Sequence, residues 1–246
     1  MDYDAERAAI YDAIHTTRFE EAATEADRLA ELHAAVVERD GRDGRILELG
    51  IGTGRVALPL AERGLEVQGV DSSPDMVAAL RAKPSGETIV VHHGDFADVG
   101  SLVDGEFAVV YIVFNTLFEL MSQDDQIRCV DGASEHLSAN GVLVIEALAP
   151  EATRLEQDTS VVSLDESSVV LRASVHDPVT QQVSTQIVDI RSEGVTMRHW
   201  AIRYATVPEI DLMARLAGLR LAERWGGWDR EPFTAASARH VSVYSR

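Results

Sequence analysis

Cysteine and lysine are almost absent from this chain of 246 residues, each occurring once, as Cys129 and Lys83. A single cysteine excludes a disulfide within the chain and a metal site made of cysteine ligands. The predicted helical position of Cys129 favours a small buried side chain over a reactive thiol. Because all other basic residues are arginine, the lone lysine indicates a compositional bias and by itself predicts no function.

Positive charge is also scarce, since 41 acidic residues outnumber 22 basic ones and give a formal net charge of −19. Such a field repels a polyanion such as DNA, and no basic cluster offsets it, so we expect no nucleic-acid partner. An acidic surface can attract a cationic substrate, although the need to stay soluble explains the composition equally well.

Long apolar runs are missing as well. The longest, from Phe107 to Phe118, is interrupted by Asn115 and is too short to span a bilayer. The first residues, 1–4, are acidic and lack the basic and apolar regions of a signal peptide. The sequence therefore predicts a cytoplasmic protein without a membrane partner.

From residue 45 onwards, strand and helix patterns alternate along the chain. This alternation predicts an α/β fold with a doubly wound, mostly parallel sheet. Two helices, at 4–15 and 20–39, come first. The predicted strands of the sheet are 45–49, 65–70, 88–92, 107–113, 141–147, 219–225 and 239–244. The predicted helices between them are 55–64, one opening at Ser73-Pro74, 122–137 and 208–217.

Residues 155–206 break the alternation. Their β-rich stretches are divided by Asp165-Glu166, Asp177-Pro178 and Glu193-Gly194, which is typical of antiparallel hairpins. We interpret the chain as one domain, 1–246, in which 155–206 form an antiparallel insertion and 1–40 form a helical lid. The insertion could form a wall of a substrate site or a contact between copies of the chain. Association into a homo-oligomer is therefore an alternative.

The strongest chemical motif is the segment 46–54, Ile-Leu-Glu-Leu-Gly-Ile-Gly-Thr-Gly. It predicts a strand, a glycine-rich turn and the start of a helix. Glycines let the backbone turn sharply and approach a ligand closely, while the helix start offers free N–H groups. The nicotinamide-binding pattern G-x-G-x-x-G is a rival, but here the third glycine comes one position early and Arg55 stands where that pattern needs a small residue.

The spacing E-L-G-x-G-x-G resembles that of class I methyltransferases, which use S-adenosylmethionine (SAM). Val70-Asp71-Ser72-Ser73-Pro74-Asp75-Met76-Val77 and Gly94-Asp95-Phe96 resemble the family's next two segments. The resemblance implies that Asp71 binds the ribose hydroxyls, that Asp95 accepts a hydrogen bond from the adenine amino group, and that Met76 and Phe96 flank the adenine ring. The cofactor-binding residues expected on this basis are Glu48, Gly50, Gly52, Gly54, Asp71, Ser72, Met76, Asp95, Phe96 and Asn115.

Within that superfamily the chain is most similar to small N-methyltransferases of antibiotic biosynthesis, which act on macrolide amino sugars and lincosamides. The similarity lies in the N-terminal helix with Ile10-Tyr11-Asp12, in the β-rich insertion, and in the tail segments 203–205 and 224–228. It implies that the last strand of the sheet runs antiparallel. It also implies a small-molecule acceptor, the nitrogen of an amino-sugar-containing or lincosamide-like antibiotic precursor.

The acceptor end of the site is less determined. The segment 114–119, at the end of the fourth strand, is where acceptor and cofactor should meet. We expect Tyr11 and Phe118 to contact the acceptor. Tyr11, Asp12, His15 and Glu119 are candidates for a catalytic base, although an amine that binds neutral needs none. No metal site is expected. O-methylation, an NAD-linked oxidoreductase and a non-catalytic SAM-binding protein are the alternatives.

Overall fold

The structure, a computed structural model, describes residues 8, 11–13, 16–149 and 158–246. Its helices are α1 (Thr16–Asp40), α2 (Ala57–Glu62), α3 (Pro74–Arg81), α4 (Val99–Leu102), α5 (Gln123–Glu135) and α6 (Val207–Leu216). Its strands are β1 (Ile46–Leu49), β2 (Val67–Asp71), β3 (Val90–His93), β4 (Phe107–Ile112), β5 (Leu137–Leu148), β6 (Asp158–Leu164), β7 (Ser168–Asp177), β8 (Gln182–Arg191), β9 (Gly194–Arg203), β10 (Arg220–Trp225) and β11 (Arg239–Ser245).

Seven of these strands form one sheet in the order β10-β11-β5-β4-β1-β2-β3. The strands from β3 to β5 are parallel, whereas β11 runs antiparallel to both of its neighbours, β5 and β10. The predicted α/β fold with a reversed last strand is therefore confirmed. The strand order also changes direction between β1 and β4, and ligands of such sheets bind where the strand ends diverge.

Helices cover both faces of this sheet, so its central strands are apolar throughout. All six residues of β4 are buried. One core cluster packs around Phe107 and Leu143, and a second packs around Leu29 of α1 and Tyr111. Each large side chain removed from water in this way stabilises the fold by about 1.5–3 kcal/mol.

Short-range signals placed most helix starts correctly. The Ser73 and Ser122 hydroxyls accept hydrogen bonds from the backbone N–H groups of Met76 and Asp125, at 3.2 and 3.1 Å. The start of β5 was less predictable: it begins at Leu137 and not at 141. Leu137 pairs with Phe107, and the register shifts before the next pair, so this polar first section carries no strand period.

The predicted antiparallel insertion is a separate four-stranded sheet in the order β6-β7-β8-β9. It meets the core through β8 and β9, where Val183 and Ile202 pack against the first cluster. The sheet leaves several large apolar side chains exposed, among them Val161, Leu164, Val195 and Met197. In the part of the chain that the structure describes, no helix is long and apolar enough to cross a membrane.

Candidate functional site

A cleft opens at the carboxyl ends of the parallel strands. It brings together residues that are far apart in the sequence but follow β1, β2, β3 and β4. Its lining residues are Tyr11, Gly50, Gly52, Asp71, Ser72, Met76, Asp95, Phe96, Thr116, Glu119 and Leu120. Seven predicted cofactor-binding residues, two of the candidate bases and the predicted acceptor contact Tyr11 therefore lie around one opening.

The turn after β1 forms the floor of the cleft. Gly50 has a φ of +73°, and its N–H donates to the carbonyl of Val70 at 2.8 Å, which fixes the turn to the end of β2. A Cβ atom at Gly50 would lie 2.4 Å from Cγ2 of Thr116. Glycine is therefore needed here both for its conformation and for the close approach of the neighbouring loop.

Asp71, at the end of β2, supports the same turn from its side. One carboxylate oxygen accepts the N–H of Gly52 at 2.7 Å, and the other accepts the N–H of Ser73 at 2.8 Å. Burial raises the pKa of Asp71, and these two backbone donors act against the rise. Each oxygen keeps a further lone pair, so the side chain can still accept hydrogen bonds from a ligand in the cleft.

Two apolar side chains and one acid form the far wall. Met76 and Phe96 are largely buried, so their exposed atoms present an apolar slot to the cleft. A Cβ atom at Gly52 would lie 3.2 Å from Cε of Met76, which shows how closely the turn packs against α3. Asp95 is exposed, and its carboxylate accepts the N–H of Ala97 at 2.9 Å. A planar ring with a polar edge matches such a slot.

The opposite wall comes from the loop after β4 and from the N-terminal segment. Thr116–Glu119 form a 3₁₀ turn, in which residues three apart share a side, so Thr116 and Glu119 both reach the cleft. Tyr11 is half-buried beside them. Burial raises the pKa of the Tyr11 phenol above its usual range, and the negative charge of Glu119 adds to the rise. The Tyr11 hydroxyl therefore stays protonated and keeps its character as a hydrogen-bond donor.

The 3₁₀ turn also explains why Phe118 does not reach the cleft as predicted. Its side chain is fully buried in the core, so the expected contact with an acceptor is corrected. Thr116 and Leu120 line the cleft instead. The sequence indicated this loop but not which of its residues point outward, because their sides depend on the turn type.

Glu48 is another expected cofactor residue that does not line the cleft. It lies beneath the glycine turn, where it is only 4% exposed, and its carboxyl accepts the hydroxyl of Tyr111 at 2.7 Å. Burial raises the pKa of Glu48 to about 8. Arg55 beside it forms an ion pair of 2.6 Å with Glu25 of α1, so this acid belongs to a buried network that joins α1 to the turn.

Gly54 and Asn115 also take structural positions. At Gly54 a Cβ atom would lie 2.2 Å from Cδ1 of Leu80, so this glycine allows the turn to pack on α3. The side-chain oxygen of Asn115 accepts the N–H of Leu148 at 2.6 Å and fixes the loop to the end of β5. His15 lies outside the described residues. Among the residues that the structure describes, no group of three or more His, Cys, Asp or Glu side chains could hold a metal ion.

Comparison with known proteins agrees with this geometry. Residues 46–141 match the family model described as a methyltransferase domain. The cypemycin N-terminal methyltransferase of a Streptomyces species is 32% identical over 208 residues, covering 83% of this chain and 84% of that protein. The structure of the CcbJ methyltransferase from Streptomyces caelestis is 40% identical and superposes with a TM-score of 0.82, covering 92% of this chain and 89% of that one.

A third relative is an amino-sugar N,N-dimethyltransferase. It is the dTDP-3-amino-3,6-dideoxy-alpha-D-glucopyranose N,N-dimethyltransferase of Streptomyces fradiae, 29% identical over 145 residues, which are 59% of this chain and 54% of that protein. Structural neighbours of lower identity, which bear on the fold alone, include proteins solved with SAM bound.

The fold and the cleft thus define a class I methyltransferase. The chain belongs to the family of SAM-dependent methyltransferases, and its cofactor is SAM. It is an enzyme of methyl transfer, which removes the NAD-linked oxidoreductase and the non-catalytic binding protein as alternatives.

Proposed function

We propose that this enzyme methylates the nitrogen of a small amine, an amino sugar or a lincosamide-like antibiotic precursor. The observation that carries the proposal is the position of Glu119 next to Tyr11, in the same cleft as the glycine turn. Two relatives support it, because one is a cypemycin N-terminal methyltransferase and the other is an amino-sugar N,N-dimethyltransferase.

The cofactor end of the proposed site uses residues that already line the cleft. Asp71 accepts hydrogen bonds from the ribose hydroxyls. Met76 and Phe96 flank the adenine ring, and Asp95 accepts a hydrogen bond from the amino group of that ring. Gly50 and Gly52 leave room for the methionine end, because a side chain at either position would fill the space against Thr116 or Met76. The two carboxylate acceptors, the apolar slot and the glycine cradle therefore fit SAM.

The charge of the cleft supports a cationic acceptor. Asp71, Asp95 and Glu119 all line it, and no arginine or lysine is among its lining residues in the described part of the chain. A carboxylate beside a protonated amine lowers the energy of encounter, and the net charge of −19 extends the same attraction outward while disfavouring nucleic acid. The acid that attracts the ammonium group also lies where it can take a proton.

Bound SAM supplies a methyl group that is already activated on a sulfonium centre. The residues of the chain therefore mainly position the acceptor, exclude water and handle one proton. We propose that Glu119 orients the amine and accepts its proton, while Tyr11 donates a hydrogen bond to a polar group of the acceptor. Well-oriented reactants can reach effective molarities of about 10⁵–10⁸ M, so orientation alone supplies much of the acceleration.

A matched pair of acceptors tests this proposal. An amino sugar and its analogue with a hydroxyl in place of the amine are each incubated with the enzyme and SAM labelled in its methyl group. We expect label on nitrogen only. Label on oxygen only would establish O-methylation, with Glu119 as the base, and would refute the amine proposal without changing the class of enzyme.

We further propose that residues 1–246 act as one unit, with 1–40 covering the cofactor and 155–206 walling the acceptor side. Tyr11 at the cleft and the packing of α1 in the second core cluster support the first part. Contact of β9 with the 3₁₀ turn Thr116–Glu119 supports the second. Whether copies of the chain associate stays a prediction, which the sedimentation of the purified protein would decide.

A further inference from the structure

The single lysine of the chain lies where three parts of the cleft meet. Lys83 follows α3, the helix that carries Met76, and its ammonium group donates to the carbonyl of Thr53 at 2.8 Å. The same ammonium group is 2.5 Å from a carboxylate oxygen of Asp12. Thr53 belongs to the glycine turn and Asp12 to the N-terminal segment, so one side chain connects all three.

Asp12 also makes a second contact, with the side chain of Thr53. Its other carboxylate oxygen accepts the hydroxyl of Thr53 at 2.6 Å. Thr53 is buried, with 2% of its surface exposed, so the partner offered to Asp12 is fixed by the turn itself. A buried hydroxyl and an ammonium group acting together hold a carboxylate in one place better than a surface ion pair does.

We propose that Lys83 is a positioning residue for methyl transfer: it clamps Asp12 onto the glycine turn and thereby holds Tyr11 over bound SAM. Tyr11, which precedes Asp12, and Gly52, which precedes Thr53, both line the cleft. The clamp therefore acts directly beside the cleft. Movement of Asp12 away from Thr53 would carry Tyr11 from the cleft. Lys83 is not a lining residue and touches the ligand only through these neighbours.

The clamp also affects how long SAM stays bound. If the clamp stabilises the covered form of the cleft, it slows the release of SAM, and bound SAM in turn keeps the clamp closed, because linkage between two sites is reciprocal. The inference depends on the proposed cofactor cleft. The two can fail separately, because Asp71→Asn tests the cleft and substitutions at Lys83 test the clamp.

The first experiment measures SAM affinity and turnover in Lys83→Met, which keeps the length of the side chain and removes its charge. Loss of these charge-assisted contacts should weaken SAM binding by about three- to tenfold. Lys83→Arg should restore most of the affinity. Arg81→Met is the matched control, because it removes an exposed cation at the end of the same helix and should leave SAM affinity unchanged.

The second experiment uses the scarcity of lysine, since acetylation of a side-chain amine by an N-hydroxysuccinimide ester can occur only at Lys83 and is followed by mass spectrometry. Saturating SAM should slow this acetylation at least about threefold, and Asp12→Asn should accelerate it in the free protein. If Lys83 had only a structural role, its substitution would lower thermal stability, and its acetylation would not respond to SAM. Wild-type SAM affinity in Lys83→Met, or acetylation indifferent to SAM, would overturn the inference.

Discussion

The carboxylate of Asp71 accepts the backbone N–H of Gly52 at 2.7 Å, so the acid that we assign to the ribose also shapes the turn that receives the rest of the cofactor. Removing the charge therefore affects binding twice. Asp71→Asn should weaken SAM binding by about 1–3 kcal/mol, the usual loss for hydrogen bonds to a charged group, as measured by calorimetry.

Asp75→Asn provides a matched control for that variant. Asp75 follows Asp71 closely in the chain, in the first turn of α3, but does not line the cleft. Its removal should leave SAM affinity within experimental error. Equal affinity in Asp71→Asn and the wild-type protein would remove Asp71 from the cofactor site.

Gly50 gives a second prediction, in which steric and conformational effects can be separated. Gly50→Ala places a Cβ atom against Thr116 and also requires a φ of +73° from alanine. Gly64→Ala requires a similar φ of +81° but meets nothing within 4 Å. The Gly64 variant should lose only about 1 kcal/mol of stability, the cost of a left-handed non-glycine residue.

The Gly50 variant should lose SAM binding beyond this cost, because the loop that carries Thr116 must move out of the cleft. Chemical denaturation gives the stability of both variants, and calorimetry gives their SAM affinity. Similar SAM affinity in the two alanine variants would show that the close approach at Gly50 has no bearing on the cofactor.

Substitution of Glu119 should affect the reaction of the acceptor but not the binding of the cofactor. Glu119→Gln keeps the shape of the side chain but removes its charge, so we expect kcat/KM for an amine acceptor to fall about 10²-fold, in the range typical of losing a positioned proton acceptor. The affinity for SAM should change little. Steady-state kinetics with both substrates varied gives these two values.

Asp124→Asn is the control for general loss of negative charge, since Asp124 is an exposed acid only a few residues further along the chain. Its kinetics should match the wild type. A Glu119→Gln enzyme with unchanged kcat/KM for the amine would assign proton transfer to solvent and leave Glu119 without a catalytic part.

His240 predicts how stability depends on pH. It is fully buried in β11, where burial lowers its pKa to about 4 from 6.5, with the charge of Arg224 acting in the same direction. Between these values the unfolded chain binds a proton that the folded chain does not, so stability falls as the pH drops from 6.5 to 4. The loss should approach about 3 kcal/mol.

His240→Asn removes this titration while keeping a polar group beside Ser242, whose hydroxyl lies 2.8 Å from Nδ1 of the imidazole. Urea unfolding of both proteins from pH 7 to pH 4 measures the difference. The stability gap between wild type and variant should change in favour of the variant as the pH falls. Parallel curves would contradict a buried neutral imidazole.

Local signals in the sequence were sufficient for most of the fold. The helix starts at Ser73 and Ser122 could be predicted because the hydrogen bond from a free backbone N–H group to a nearby hydroxyl is a short-range interaction. The strand β4 could be predicted because both of its faces are apolar. Gly50 and Asp71 could be brought together from the family resemblance and from their positions after two strands, because parallel strands end at one edge of the sheet.

The remaining features depend on contacts between distant segments. Phe118 lies in the core and Thr116 lines the cleft because a 3₁₀ turn, and not a regular helix or strand, follows β4. The contact between Lys83 and Asp12 joins residues from separate elements, and no spacing in the sequence links the two. Glu48 matches the family motif, yet its buried hydrogen bond with Tyr111 is decided by how β1 and β4 pair.

The position of β11 between β5 and β10 has a consequence for the order of folding. Arg239 pairs with Leu148, so β5 gains its second neighbour only from a strand that follows the whole four-stranded sheet. Until the ribosome has released residues 239–245, the nascent chain exposes one edge of β5 with unpaired N–H and C=O groups. Such an edge pairs readily with other chains, so the interval before β11 emerges is when association between nascent chains is most favoured.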